Sequence, residues 1–277
     1  MFTLNCNERL LIIDRPVVMG IINATPDSFY EGSRFSGADK ILFQAEKMIN
    51  EGAKIIDIGG QSTRPGSEPV TKEEELKRVI DGIEAVHKKF PDTIISIDTY
   101  YSFVASRCVE AGAGIVNDIS SGSLDKEMIS TVAMLKVPYV IMHMKGTPQT
   151  MQQHTTYDNI MSDVIDFFIQ KKNECRKAGI YDVIIDPGFG FAKTIQQNFE
   201  LLKNLSVFKN LDVPILVGIS RKATVYKTLG IPAGEALNGT TVLNTIALMN
   251  GANMLRVHDV KEAKEAIKLV CQVSDKK

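Results

Sequence analysis

Residues 54–66 read KIIDIGGQSTRPG, an apolar run followed by a carboxylate, two glycines, two hydroxyl groups and an arginine. The run lacks the alternation of apolar and polar residues that marks a strand with one face in water. Strands that are buried on both faces read this way, and they are typical of parallel sheets covered by helices. The polar residues directly after such a strand indicate a ligand at its carboxyl end.

Eight runs of this kind, rich in Val and Ile, are spread along the chain. They are residues 17–23, 54–60, 93–99, 114–120, 138–144, 182–188, 213–220 and 252–259. Segments 38–49, 76–86 and 160–168 lie between them and carry apolar residues at helical spacing. Eight strand–helix units in 277 residues predict an α/β fold, a (β/α)8 TIM barrel that forms one domain over residues 1–277.

An open doubly wound sheet is the alternative fold. We consider it weaker because no G-x-G-x-x-G motif follows the first strand. The first sixteen residues precede that strand and contain a turn-like Asn5-Cys6-Asn7. They predict a short N-terminal hairpin that closes the amino-terminal mouth of the barrel.

The composition is that of a soluble globular protein, with a formal net charge of −1, 44% hydrophobic and 23% charged residues. A charge near zero gives no support for binding to nucleic acid or to a membrane surface. No apolar run approaches the roughly 20 residues of a membrane span, and we expect no signal peptide. The four cysteines form no C-x-x-C motif, so we expect reduced thiols and a cytoplasmic location.

Polar residues follow every predicted strand, at the end where a barrel of this type builds its active site. They are Asn23, Asp57, Asp98, Asn117, His143, Asp186, the Ser220-Arg221-Lys222 run, Arg256 and His258. Asp98, Asn117 and Asp186 would suit the paired N–H donors of an aminopyrimidinone ring. The cationic residues, to which Arg64 belongs as well, would suit a phosphate or diphosphate. The set therefore predicts a ligand with an aminopyrimidine ring and a phosphorylated arm.

Simpler explanations exist for single members of this set. Asp98 could cap the following helix, and Asp186 could belong to an Asp-Pro-Gly turn. His143 could be a core histidine, whereas Arg221 and Lys222 could be solvated loop charges. The four histidines form no H-E-x-x-H motif, so the sequence shows no cluster of metal ligands. A Mg²⁺ ion held by one protein oxygen and by substrate phosphates would leave almost no sequence pattern.

Eight segments together resemble the dihydropteroate synthases of folate biosynthesis, a family of pterin-binding barrels. They are MGIINATPDSF (19–29), AKIIDIGGQSTRPG (53–66), SIDTY (96–100), AGAGIVNDIS (111–120), VIMHMKGTPQTMQ (140–152), IIDPGFGFAKT (184–194), VGISRK (217–222) and LRVHDV (255–260). The resemblance implies the barrel fold and a transferase that condenses 4-aminobenzoate with (7,8-dihydropterin-6-yl)methyl diphosphate. It also implies Mg²⁺ as cofactor, small-molecule substrates and a homodimer.

The same resemblance implies roles for individual residues. The pterin ring would be held by Asp98, Asn117, Met142, Asp186, Phe191 and Lys222. The diphosphate would be held by Asn23, Arg64, Arg256 and His258, with Asn23 also placing the metal. The 4-aminobenzoate site would be formed by Phe29, Thr63, Arg64, Pro65 and Ser220, on two loops that span residues 24–36 and 61–69 and at one strand end. The catalytic residues would be Asp98, Asp186, Lys222, Arg256 and His258.

The chain departs from the family pattern at three positions, where Gln61 replaces Glu, Ala223 replaces Ser, and Thr241 replaces Gly. Two related alternatives stay open, a pterin-dependent methyltransferase domain and a non-catalytic pterin-binding paralogue. An unrelated phosphate-handling lyase barrel ranks lower because no strand carries a lysine suited to a Schiff base. Val242, Ile246, Ile267 and Val270 could form a dimer surface or belong to the core.

Overall fold

The chain forms a closed barrel of eight parallel strands with a small hairpin at one end. The structure, a computed structural model, describes residues 1–25, 37–63 and 66–273. The hairpin strands are β1 (Phe2–Cys6) and β2 (Arg9–Ile13). The barrel strands are β3 (Val17–Asn23), β4 (Ile55–Gly59), β5 (Ile94–Asp98), β6 (Ile115–Asp118), β7 (Tyr139–Met142), β8 (Val183–Asp186), β9 (Leu216–Val217) and β10 (Met254–Val257).

The strands follow one another around the sheet in the order β8-β7-β6-β5-β4-β3-β10-β9. A bridge between Ile185 and Ile215 joins the two ends of this order and closes the barrel. The predicted (β/α)8 barrel is therefore confirmed, and each of the eight predicted runs contains one barrel strand. None of the helices in the described part of the chain is long and apolar enough to cross a membrane.

Helices connect the strands and cover the outside of the barrel. They are α1 (Gly37–Asn50), α2 (Lys72–Lys89), α3 (Ser102–Glu110), α4 (Met128–Leu135), α5 (Ile160–Ala178), α6 (Ile195–Lys203), α7 (Ala223–Leu229), α8 (Leu237–Met249) and α9 (Val260–Val273). The three segments predicted from helical spacing lie in α1, α2 and α5. Gly179 ends α5 in the left-handed conformation, with a φ of 92°, as expected for a glycine at a helix end.

Alternation along the strands divides their side chains between two environments. Residues that point outward pack against the helices in the main apolar core. Residues that point inward at the amino ends of the strands form a second, fully apolar layer: Met19, Ile55, Ile94, Ile115, Val140, Ile184, Leu216 and Met254. The inward position two residues further along is largely polar, because side chains of a strand repeat their direction every second residue. These polar positions include Asp57, Asn117, Asp186 and Arg256.

The hairpin seals the barrel at its apolar end, which confirms the predicted closure. Leu4, Cys6, Leu11 and Ile13 pack against the inner apolar layer. The turn is formed by Asn7 and Glu8, both with positive φ, and not by residues 5–7 as the sequence indicated. The Asn7 amide donates to the carbonyls of Val109 and Ala113, which fixes the hairpin to the barrel.

Neighbouring leucines of β2 test the contribution of this seal. Leu11 is 5% exposed against the barrel floor, whereas Leu10 is 68% exposed on the outer face. We expect Leu11→Ala to lower the free energy of unfolding by about 2–5 kcal/mol because it leaves a cavity. Leu10→Ala should change it by about 0.5 kcal/mol or less. Urea unfolding of both variants measures the difference, and equal losses would contradict the sealing role.

Candidate active site

A half-buried arginine between two carboxylates forms the centre of the barrel mouth. Arg256 on β10 donates from Nε to Asp57 at 2.6 Å and from Nη2 to Asp98 at 2.5 Å. Asn117 on β6 donates from Nδ2 to both carboxylate oxygens of Asp57, at 3.2 and 3.4 Å. One network thus connects β10, β4, β5 and β6 across the opening. Asp57 was predicted from the sequence to lie at a strand end, but no role in the site was predicted for it.

A second pair of opposite charges lies on the other side of the opening. Asp186 on β8 accepts a hydrogen bond from the Gly188 N–H at 2.7 Å. Lys222 donates to the Phe189 carbonyl at 2.6 Å, and its Nζ lies 4.6 Å from the centroid of the Phe191 ring. A Cβ added at Gly218 would lie 3.8 Å from both Asp186 Oδ2 and Lys222 Nζ. The glycine therefore leaves space beside both charged groups.

Burial shifts the proton equilibria of these groups toward neutrality. Desolvation raises the pKa of Asp98 to about 7, although the Arg256 guanidinium opposes the shift. Burial likewise raises the pKa of Asp186, against the influence of Lys222. Desolvation lowers the pKa of Lys222 to about 8. A ligand that offers N–H donors to these carboxylates would favour their charged forms.

Apolar side chains flank the charged groups. Met142 and Phe191 belong to a separate buried cluster with Tyr100, Ile119, Met151 and Ala192. Met142 is the inward residue at the end of β7, and the Phe191 ring lies next to Lys222. The mouth therefore combines charged edges with an apolar wall, an arrangement that suits a flat heterocycle with polar edges.

The residues after β9 and β10 separate into two groups. Ser220 Oγ lies 3.0 Å from His258 Nδ1 and accepts from the His258 backbone N–H at 3.2 Å. Arg221 forms two 2.8 Å hydrogen bonds to Asp259 and donates to the Gly234 carbonyl. Its φ of 53° places its backbone in the left-handed region. Arg221 therefore holds the loop, and it is neither a contact of the opening nor a solvated charge.

His143 is a predicted strand-end residue that does not face the opening. It follows the inward Met142 and thus points outward, where it is 3% exposed. Its Nδ1 lies 3.0 Å from Lys193 Nζ, and its ring packs edge-on against Phe167. Burial lowers the pKa of His143 far below its usual range, so that the ring is neutral. The alternative of a core histidine is correct, and Lys193 was not recognised from the sequence.

Part of the predicted 4-aminobenzoate site lies outside the described residues, namely Phe29, Arg64 and Pro65. Thr63 is partly buried. Gln61 accepts the Val70 N–H at 2.8 Å, and the Tyr101 hydroxyl donates to the Val70 carbonyl at 2.9 Å. Both backbone groups of Val70 are therefore fixed at the end of the 61–69 loop. Gln61 retains a side-chain oxygen at the position where the family pattern has Glu, so this bond is available to either residue.

Asn23 ends β3 and is partly exposed. It pairs in register with Gly59, which in turn pairs with Asp98. Within residues 1–25, 37–63 and 66–273, no group of three His, Cys, Asp or Glu side chains could hold a metal ion.

Comparisons with known proteins agree with this barrel fold. The profile of the family described as "Pterin binding enzyme" matches residues 19–258, and the chain belongs to this family. The chain is 41% identical over 268 residues to the dihydropteroate synthase of Haemophilus influenzae, covering 96% of this chain and 97% of that protein.

Solved structures show the same similarity. The dihydropteroate synthase of Yersinia pestis with a sulfonamide drug complex has a TM-score of 0.93 and 39% identity, covering 99% of this chain and 100% of that one. The enzyme of Xanthomonas albilineans in complex with 7,8-dihydropteroate has a TM-score of 0.90 and 35% identity, covering 98% of both chains.

An acidic side chain is also buried behind the mouth, and no sequence pattern predicted its burial. Glu75 of α2 is fully buried, and neither of its carboxyl oxygens has a hydrogen-bond partner in the part of the chain that the structure describes. It packs behind Gly60, where an added Cβ would lie 3.0 Å from Glu75 Cγ. Burial raises the pKa of Glu75 from 4.5 to about 8. The side chain therefore stays protonated in the folded protein at neutral pH.

This pKa makes stability depend on pH. The unfolded chain releases the Glu75 proton above about pH 4.5, whereas the folded chain holds it to about pH 8. The stability that the protonated acid contributes is complete below pH 4.5 and is lost as the pH rises to 8. We expect Glu75→Gln to gain on the parent by roughly 1.4 kcal/mol per pH unit across this window. Urea unfolding at several pH values measures the gain, and the exposed Glu73→Gln serves as control. A difference in unfolding free energy between Glu75→Gln and the parent that stays constant with pH would contradict the raised pKa of Glu75.

Proposed function

We propose that the chain catalyses the condensation of 4-aminobenzoate with (7,8-dihydropterin-6-yl)methyl diphosphate to give 7,8-dihydropteroate and diphosphate. The observation that carries this proposal is the ring of inward polar groups at the carboxyl ends of the strands, centred on Arg256 between Asp57 and Asp98. It occurs in a chain of the pterin binding enzyme family. The activity is that of the dihydropteroate synthases, which are transferases.

The charged edges of the mouth would recognise the pterin ring. Asp98, Asn117 and Asp186 offer acceptors on separate strands, and the ring offers N–H donors in fixed directions. Lys222, beside Asp186, would donate to a ring acceptor. Met142 and Phe191 would cover the apolar face of the ring. The space beside Gly218 supports this placement, because a side chain there would fill it.

The cationic residues would receive the diphosphate. Arg256 uses Nε and Nη2 for its two carboxylates, which leaves Nη1 for an anion. His258, with Ser220 as neighbour, is a second contact at the adjacent strand end. The predicted Arg64 lies outside the described residues. Together these groups would offset the charge that the leaving group develops.

Mg²⁺ fits the oxygen donors at the end of β3. A neutral amide oxygen from Asn23 together with diphosphate oxygens is a set that this hard cation prefers. When bound, Mg²⁺ would neutralise negative charge on the diphosphate. Asn23 would orient the diphosphate at the mouth.

The buried carboxylates favour a dissociative displacement. Loss of diphosphate leaves positive charge on the pterin-methyl group, and that charge spreads into the ring. Asp98 and Asp186 would stabilise the charged ring electrostatically. The amine of 4-aminobenzoate is neutral at pH 7, so its lone pair can attack without a general base. Thr63 and Ser220, with Phe29, Arg64 and Pro65 of the two loops, would hold 4-aminobenzoate and exclude water.

A homodimer and a cytoplasmic location belong to the same proposal. Val242 and Ile246 of α8 are 49% and 39% exposed and support an apolar contact surface. Ile267 and Val270 are buried in the core, so for these two residues the core alternative holds. All four cysteines lie in the described residues without a disulfide, which suits a reducing compartment.

The activity and the role of Asp98 can be tested together. We expect the purified chain to form 7,8-dihydropteroate from the two substrates with Mg²⁺. Asp98→Ala should lower kcat/KM about 30- to several thousand-fold, because ring donors lose a charge-assisted partner worth roughly 2–5 kcal/mol. Asp182→Ala, at the hairpin end of the barrel where Asp182 accepts the Asn5 N–H, should leave it unchanged.

The same assay separates the alternatives. A pterin-dependent methyltransferase would transfer methyl from methyltetrahydrofolate and form no dihydropteroate. A non-catalytic paralogue would bind the pterin diphosphate without turnover. A loss of less than threefold in Asp98→Ala would refute the assignment of Asp98.

Metal removal tests the Mg²⁺ proposal. Excess EDTA should abolish turnover and leave part of the pterin binding, because the ring contacts come from the protein alone. Added Mg²⁺ should restore activity, and Asn23→Ala should need a higher Mg²⁺ concentration for half-maximal rate since it loses the amide oxygen. Full activity of the parent in EDTA would exclude the metal role.

A further inference from the structure

A buried lysine lies behind the pterin side of the mouth, outside the residues proposed to bind the substrates. Lys193 is 3% exposed. In the part of the chain that the structure describes, its Nζ contacts four acceptors, none of them a carboxylate: His143 Nδ1 at 3.0 Å, and the carbonyls of His143 at 3.2 Å, Gly188 at 3.0 Å and Phe191 at 2.9 Å. A buried ammonium needs such partners, since an unsatisfied one is strongly unfavourable. Two of the four acceptors belong to His143, and the other two are carbonyls of one short stretch of backbone.

That stretch, residues 188–192, depends on side chains for its shape. Gly188, Gly190 and Ala192 have φ values of 72°, 82° and 50°, so the segment belongs to neither a helix nor a strand. Each of its five carbonyls accepts a hydrogen bond from a side chain. The donors are Lys193 to Gly188, Lys222 to Phe189 at 2.6 Å, Gln152 to Gly190 at 3.2 Å, Lys193 to Phe191, and Tyr157 to Ala192 at 2.9 Å. Lys193 donates to two of these five carbonyls, whereas each other donor serves one.

The same segment positions Lys222. The Phe189 carbonyl accepts from the Lys222 ammonium, and the Phe191 ring lies beneath it. A Cβ at Gly190 would lie 3.3 Å from Lys222 Cδ, so the backbone also passes close to the lysine stem. Lys193 fixes the carbonyls on either side of Phe189, at Gly188 and Phe191. Movement of the segment would therefore move both the Phe189 carbonyl that accepts from Lys222 and the Phe191 ring that lies next to it.

We infer that Lys193 is a positioning residue for pterin recognition, which fixes the 188–192 segment and through it Lys222 and Phe191. His143 is part of the same device, because its neutral ring and its carbonyl supply two of the four acceptors. The inference rests on the proposed function, since it takes Lys222 and Phe191 as pterin contacts. Lys193 is buried and is not among the proposed substrate contacts. Its effect should therefore appear in the affinity for the pterin diphosphate and not in that for 4-aminobenzoate.

The variant Lys193→Met tests this because it keeps the length of the side chain and removes the ammonium. We expect the KM for the pterin diphosphate to rise about tenfold or more, as hydrogen bonds from a charged donor are lost. The KM for 4-aminobenzoate should stay within twofold. Calorimetric binding of the pterin diphosphate with Mg²⁺ should weaken in parallel. Lys172→Met is the matched control, because Lys172 is partly buried and also donates to a backbone carbonyl, that of Leu211, which lies outside the 188–192 segment.

A second variant keeps the test valid if Lys193→Met does not fold. Gln152 is exposed and reaches the segment only through the Gly190 carbonyl. Gln152→Ala should raise the KM for the pterin diphosphate about two- to fivefold, and the exposed neighbour Gln153→Ala should leave it unchanged.

The outcomes separate this inference from the proposed function. Absence of dihydropteroate formation by the parent would refute the proposed function, and calorimetric binding would then decide the role of Lys193. A Lys193→Met protein with unchanged pterin affinity, or with equal losses for both substrates, would refute the positioning role. If that variant does not fold, unchanged pterin affinity in Gln152→Ala would refute it, and a selective loss there would support it.

Discussion

The ion triad of Arg256 with Asp57 and Asp98 is the interaction on which the mouth of this barrel depends. Asp57 is fully buried, and the side chain of Asp98 is 10% exposed. Two carboxylates in such positions are strongly unfavourable without a cation between them. Arg256 supplies that cation in two directions, because its planar guanidinium can serve two acceptors at once. The carboxylates can therefore stay close to each other on neighbouring strands and face a ligand.

The triad in turn needs the apolar half of the barrel. The inner layer at the amino ends of the strands is completely apolar, and the hairpin residues Leu4 and Leu11 cover it. Water is thereby excluded from one side of the polar layer, so that ligands enter only through the carboxyl ends. The low polarity below also raises the pKa values of Asp98 and Asp186. Fold and site are thus linked by the two-residue repeat of the strands, which places an apolar and a polar side chain on the same inner face.

This repeat explains what the sequence could predict. The eight strands, the long helices and the closing hairpin follow from local patterns, and all were confirmed. The strand ends also located the polar mouth, but the direction of each side chain depends on the register. His143 and Met142 are adjacent, and only the count from the inward Val140 shows that Met142 faces the opening. The turn at Arg221 similarly depends on a positive φ, which no residue type in Ser220-Arg221-Lys222 indicates.

The burial of two residues behind the mouth, Glu75 and Lys193, could not be predicted from local sequence patterns, for another reason. Each lies in a segment that reads as an ordinary helix start or loop, where a charged residue is normally solvated. Their burial results from packing against distant parts of the chain, such as Gly60 for Glu75 and His143 for Lys193. Lys193 could have been suspected only from the two glycines just before it, which permit a backbone that brings several carbonyls to one point.

The raised pKa values connect this architecture with the proposed chemistry. A carboxylate whose pKa is raised by burial is poorly solvated in its charged form, and it gains more from a nearby positive charge than a solvated carboxylate does. In the proposed reaction, the pterin ring would become positively charged only as the bond to diphosphate breaks. Interactions that strengthen at that moment lower the barrier, whereas those that are equally strong in the ground state do not. Asp98 and Asp186, held in place by Arg256 and by the Gly188 N–H, would therefore be most effective at the stage where the ring is a cation.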